Sequence, residues 1–261
     1  MKRGSNSTSP RIAPGSGNQE GSARTRRHAV DARQGPRPFV FVNMAMTADG
    51  KIATANRQVS SFGSRRDQRH LLELRATADA VMAGARTIDQ NPVTLGPGPL
   101  KYRRKRLAAG LREYNLRVIV TRTGTVDPGA RIFQHTFSPI VVLTTERAGS
   151  ARLSRLRALA DVRVFGRREI DFETAFRWLR AEHGVKRLLC EGGGELNDAL
   201  FRAGLVDELH LTICPFIFGG RHAPTISDGQ GFSALSQMAR LELRSSRRAG
   251  NELFLVYQVV R

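Results

Sequence analysis

The chain has 261 residues, 40% of them hydrophobic, and a formal net charge of +19 from 42 Lys and Arg against 23 Asp and Glu. No apolar run approaches the roughly 18 residues of a membrane span, so a membrane protein is excluded. Only two cysteines are present, Cys190 and Cys214, both inside apolar stretches, which suits buried thiols in a reducing compartment and excludes a Cys-rich zinc fold.

Residues 1–35 are rich in Gly, Pro, Ser and Arg, and their basic residues far outnumber Glu20 and Asp31. Such a segment cannot bury enough surface to offset its ordering entropy and is expected to be a disordered basic tail. An organellar transit peptide fits the same composition, but no charged-then-apolar secretion signal occurs, and a cytoplasmic location is expected. Residues 36–261 then suit one α/β domain, or two small ones.

From residue 39 onward, strand-like runs alternate with helical patterns. The runs cover 39–44, 79–83, 116–120, 140–143, 162–165, 187–190, 208–213 and 253–259, and helices are expected over 65–76, 151–159, 172–182 and 195–203. This alternation predicts a central, mostly parallel sheet with flanking helices. The last two runs have no helix between them and are expected to close the sheet as an antiparallel pair. The basic segment 97–112 (PGPLKYRRKRLAAGLR) reads by default as a solvated loop, with a short helix as the alternative.

Three turns at strand ends could carry chemistry. In LLCEGGGEL an apolar strand runs into Gly192, Gly193 and Gly194 and then opens a helix at Glu195, the recipe for seating a pyrophosphate on backbone N–H groups. It matches neither the G-x-G-x-x-G nor the P-loop pattern. The second turn, VMAGART, puts Thr87 just past another strand, where α/β sheets bind ligands. The third, AMTADGK, carries Thr47 and Asp49; Asp-Gly is first a turn signal, and secondly a polar-substrate site. The six histidines have no metal-ligand spacing, no zinc-deaminase or nucleophile-elbow motif occurs, and no metal site is expected.

Taken in order, these turns resemble the reductase domain of the bifunctional deaminase–reductase of riboflavin biosynthesis, in its stand-alone form. The resemblance spans about 38–260 and rests on NMAMTADGKIAT, LRATADAVMAGARTIDQNP and LLCEGGGELNDALFRAGLVDELHLTICPFIFGG. It implies an α/β, dihydrofolate-reductase-like fold and NADPH as cofactor. Matched residue by residue, it implies cofactor contacts from Ala45, Phe62 (in place of a tryptophan), Thr87, Asn91, Gly192, Gly193, Gly194, Glu195, Leu196 and Asn197. It implies substrate contacts from Ser60, Arg75, Leu95 and Glu191. The family's Thr-Val-x-x-Asp-Asx-Pro is one residue shorter here, so Asp89, Gln90 and Asn91 compete for the role assigned to Asn91. The family's arginine after Leu-Thr-Val is replaced by Gly98, and Lys101, Arg103 or Arg104 is expected to supply that charge to a substrate phosphate. Arg122, just past a strand, is expected on the adenosine 2′-phosphate.

The implied reaction is NADPH-dependent reduction of a phosphorylated pyrimidine ribosylamine to its ribityl form, in a homodimer, with Asp49 or Glu191 as proton donor. Two alternatives follow from the same residues. One is a reductase of this fold with a different, pterin-like substrate. The other is a basic nucleic-acid-binding protein, against which stands the absence of any recognisable binding module.

Overall fold

The structure, a computed structural model, describes residues 35–57 and 62–260. The expected tail, except Gly35, lies outside these residues, as does Ser60.

Among the described residues, nine strands form one sheet in the order β5-β4-β3-β2-β6-β1-β7-β9-β8. They are β1 (Phe39–Thr47), β2 (Ala80–Gly84), β3 (Leu116–Val120), β4 (Ile140–Thr144), β5 (Asp161–Val164), β6 (Arg187–Cys190), β7 (Glu208–Cys214), β8 (Arg240–Ala249) and β9 (Glu252–Val260). Strands β5 through β7 are mutually parallel, and β9 runs antiparallel to both β7 and β8. The helices are α1 (Arg65–Arg75), α2 (Ala85–Gln90), α3 (Leu100–Ala108), α4 (Ser150–Arg157), α5 (Phe172–His183) and α6 (Gly194–Arg202).

Alternation along the central strands sends side chains to two cores. Val40, Val42, Met44, Leu188, Cys190 and Leu211 meet Phe176, Leu179 and Leu200 of α5 and α6. Phe41, Val81, Ala83, Ile119 and Leu189 face the other way, onto Leu74 of α1, Ile88 of α2 and Leu156 of α4. The inner parallel strands β2, β3, β4 and β6 read as nearly continuous apolar runs because both of their faces are covered.

Three elements differ from the sequence expectation. The segment read as a basic loop contains α3, whose inward residues are Tyr102 and Arg106. A buried arginine hides the helical stripe from a hydrophobicity pattern. The Arg106 guanidinium is instead satisfied by carbonyls, donating to Arg75 O at 2.7 Å, Ala78 O at 2.5 Å and Arg112 O at 2.9 Å. The turn after β2 continues into the short α2. Finally, the β7–β9 antiparallel pair is present, but Arg-rich β8 adds a third strand outside it; its exposed sequence RLELRSSRRA carries no burial signal.

Candidate active site

Because β2 and β6 are neighbours, the two glycine turns that follow them lie side by side. Gly84 N donates to Gly192 O at 3.1 Å, and Glu191 N to Met82 O at 2.8 Å. Gly193 stands at the start of α6 with φ 52° and ψ 150°, a conformation essentially reserved for glycine. A Cβ there would meet nothing nearer than Thr87 Oγ1 at 3.5 Å, so the space above it is open to a ligand. On the opposite side, the segment after β7 closes against α6. Asp228 N donates to Gly194 O at 3.0 Å, and the buried Asn197 side chain donates to Ile226 O at 2.7 Å.

The result is a cleft of about 790 Å³ along the carboxyl ends of the strands, lined among others by Thr87, Arg122, Gly193, Gly194, Glu195 and Leu196. That is the size and place expected of a small-molecule site in an open α/β sheet. Arg122 reaches its rim with a largely exposed guanidinium, 3.0 Å from Glu169. Asn197 does not reach the cleft with its side chain: it is fully buried and braces the opposite wall. Asn91 is likewise displaced. It ends α2 and donates to Thr87 O at 2.9 Å, while Asp89 and Gln90 line the cleft.

A second set of groups lies on the α1 face of the sheet. Arg75, the last residue of α1, grips Glu191 in a bidentate pair, Nε–Oε1 at 2.5 Å and Nη2–Oε2 at 2.6 Å. Its remaining arm donates to Gly96 O at 2.8 Å. Both side chains are about nine-tenths buried, with 10% and 11% exposure. Asp49 follows β1. Its carboxylate accepts from Thr47 Oγ1 at 2.5 Å, Gly219 N at 2.7 Å and Phe218 N at 3.2 Å. These bonds, the Thr47 hydroxyl first, hold its pKa below the ordinary 3.8. A carboxylate so stabilised anchors the turn and is a poor proton donor, against the expectation for Asp49. Phe62 packs edge-on against Phe218 with ring centroids 5.0 Å apart.

Leu95 and the basic cluster also depart from expectation. The Leu95 side chain is fully buried in the core beside α2, leaving only backbone to meet a ligand. Lys101, Arg103 and Arg104 ride on α3 and none lines the cleft. Arg103 is held by Glu113 and by Tyr114 Oη, both at 2.6 Å, and Lys101 Nζ sits 4.7 Å over the Tyr102 ring.

Sequence reasoning passed over Asp67 and Thr212. Asp67 lies in the first turn of α1 and is hydrogen-bonded to Thr212 of β7. A Ser-x-x-Asp capping pattern, Ser64 to Asp67, was the available signal.

Fold and cleft together define an α/β protein of the dihydrofolate-reductase-like class, with a glycine-lined cleft at the β2 and β6 ends. More narrowly, residues 38–255 match the model of the RibD C-terminal domain, and the chain belongs to that family. It is 36% identical over 225 residues to the 2,5-diamino-6-ribosylamino-4(3H)-pyrimidinone 5′-phosphate reductase of Methanothermobacter thermautotrophicus, covering 85% of this chain and 99% of that protein. The enzyme of the same name from Aquifex aeolicus is 31% identical, with 86% and 97% covered. Among solved structures, a pyrimidine reductase-like protein from Corynebacterium diphtheriae superposes with a TM-score of 0.70 at 25% identity, covering 86% of this chain and 92% of that one.

Proposed function

We propose that the chain is an NADPH-dependent reductase that converts a phosphorylated ribosylaminopyrimidine to its ribitylamino form. The observation that carries this reading is the junction at the end of β6, where the buried Glu191–Arg75 pair and the Gly192–Gly194 seat are consecutive in sequence. Similarity over nearly the whole length of reductases with that substrate in their names supports it.

The residues present fit a dinucleotide. Gly193 leaves the α6 N-terminus open, and its N–H groups attract a pyrophosphate. Thr87 borders the same space, and Arg122 offers a guanidinium to the 2′-phosphate that distinguishes NADPH from NADH. Ala45, a small residue on β1, would floor the nicotinamide. When bound, the cofactor supplies hydride. Glu191, fixed in orientation by Arg75, accepts hydrogen bonds from substrate hydroxyls, and Asp49 keeps the 216–219 loop in place beside Phe62.

In this reading the protein works as a homodimer in the cytoplasm. β8 is a fully exposed edge, and Leu241 and Leu243 stand 42% and 51% exposed in line with Val259 and Tyr257 of β9. A second copy covering that apolar face would bury it. Light scattering on a size-exclusion column tests this, and a monomer at micromolar concentration contradicts it. The function itself is tested by incubating the protein with NADPH and the phosphorylated ribosylaminopyrimidine. Oxidation of the cofactor, with a product heavier by two hydrogens, is expected; no turnover with any ribosylaminopyrimidine phosphate overturns the reading.

A further inference from the structure

Hydride delivery to an imine leaves a nitrogen that must gain a proton, and the two carboxylates expected to supply it are otherwise engaged. Asp49 is ionised by its turn, and both oxygens of Glu191 are held by Arg75. We propose that Asp67 is the proton donor of this reduction, acting from the α1 side of the sheet on the nitrogen next to the reduced carbon. The inference rests on the function proposed above.

The placement follows from register. Ala45 of β1 and Thr212 of β7 are direct partners in adjacent parallel strands, so their side chains share the α1 face about 4.8 Å apart. Asp67 is hydrogen-bonded to Thr212, which sets its carboxyl beside the floor assigned to the nicotinamide. It also folds back over the chain at residue 63, immediately after Phe62. A Cβ at Gly63 would stand 2.2 Å from Asp67 Oδ2, so only glycine leaves room for this carboxyl.

The turn that carries Asp67 is held from β9. Ser64 caps α1, accepting from Arg66 N and Asp67 N, while its own N and Oγ donate to Glu252 at 2.8 and 2.5 Å. Glu252 is almost fully buried, and an acid in that position does more than shield the helix end: its charge faces Asp67. Burial first, and Glu252 second, push the Asp67 pKa above the ordinary 3.8 against the opposing Thr212 hydrogen bond. The other ionisable groups around it are Cys214 of β7, whose thiol is pushed up to about 12, and His70 one turn along α1. His70 in turn meets His210 of β7 at 5.5 Å between rings and feels Arg247 of β8.

The step balances as follows. Opening of the sugar breaks the C1′–O4′ bond; the ring oxygen gains a proton as the exocyclic nitrogen loses one, giving a C1′=N imine. Hydride from NADPH then forms the new C1′–H bond, the C=N electron pair moves to nitrogen, and nitrogen takes the Asp67 proton. Solvent returns a proton to the Asp67 carboxylate.

Two measurements test this. In the ligand-free protein carrying ¹³C-labelled aspartate, the Asp67 carboxyl resonance is expected to titrate above 3.8. Thr212→Val moves it higher still, because the lost hydroxyl stabilised the ionised form. In turnover, a general acid is lost as pH rises, so kcat/KM, which reports the free enzyme, falls on the basic side with the same midpoint, and Thr212→Val shifts both together. Asp67→Asn, which keeps shape and loses the proton, lowers kcat about 100-fold while the NADPH Kd stays within about threefold. Asp67→Glu recovers part of the rate. Asp67→Asn turning over within about threefold of the wild type, or a resonance titrating at or below the ordinary value, overturns the proposal. A wild-type chain that reduces no ribosylaminopyrimidine phosphate overturns the function instead, and the ligand-free titration still decides whether Asp67 holds a proton.

Discussion

Glu191 and Gly193 are two residues apart, yet they belong to regions built on different terms. At Gly193 the protein offers backbone: an open helix N-terminus and a φ of 52°. At Glu191 it offers side chains: a bidentate ion pair with little exposure, braced by Gly96 O. Backbone donors suit a pyrophosphate, a group common to many nucleotides, and discriminate poorly. Buried charged pairs are costly to assemble but rigid, and they suit a substrate that must be presented in one orientation. Under the proposed function, the Gly193 region is therefore sensitive to volume, and the Glu191 region to charge.

Replacing Gly193 by Val attacks the first region. The positive φ costs about 1–3 kcal/mol in any β-branched residue. The new side chain also occupies the anion seat, so the NADPH Kd measured by fluorescence should rise about 100-fold. Arg75→Ala attacks the second and leaves Glu191 buried without its partner, a loss of about 3 kcal/mol in denaturant unfolding. NADPH affinity should survive in that variant. The double variant Arg75→Ala/Glu191→Ala should recover part of the stability, since no charge is then orphaned. If instead Arg75→Ala abolishes cofactor binding, the two regions are one.

A smaller effect separates the nucleotides. Arg122 is half exposed and already near Glu169, so Arg122→Ala should weaken NADPH by about tenfold and leave NADH unchanged. Equal weakening of both would remove it from the 2′-phosphate. The smallest effect is expected at Lys101 and Arg104. Both are exposed on α3 and away from the cleft, so their alanine variants should keep the substrate KM within about twofold. A rise confined to phosphorylated substrate would bring α3 back into the site.

Much of this was legible without coordinates. The apolar runs of β2, β3, β4 and β6 are nearly continuous because these strands are buried on both faces, so their positions and parallel sense followed from composition and spacing. The glycine seat was visible as three glycines between a strand and a helix. What the pattern missed has a common cause. β8 is a strand held by pairing to β9 without burial, and α3 buries an arginine satisfied by carbonyls; neither leaves an apolar period. Leu95 was given a ligand role from its place in a motif, whereas its side chain completes the core.

The sequence by itself determined which residues could bind an anion, because a backbone donor array needs only a local run of Gly and a helix start. It could not determine which acids are free. Whether Asp49 or Asp67 can hold a proton depends on partners more than 100 residues away, Gly219 beside the local Thr47 for the first and Thr212 and Glu252 for the second. Proton affinity is set by burial and neighbouring charge, and only the tertiary structure supplies those neighbours.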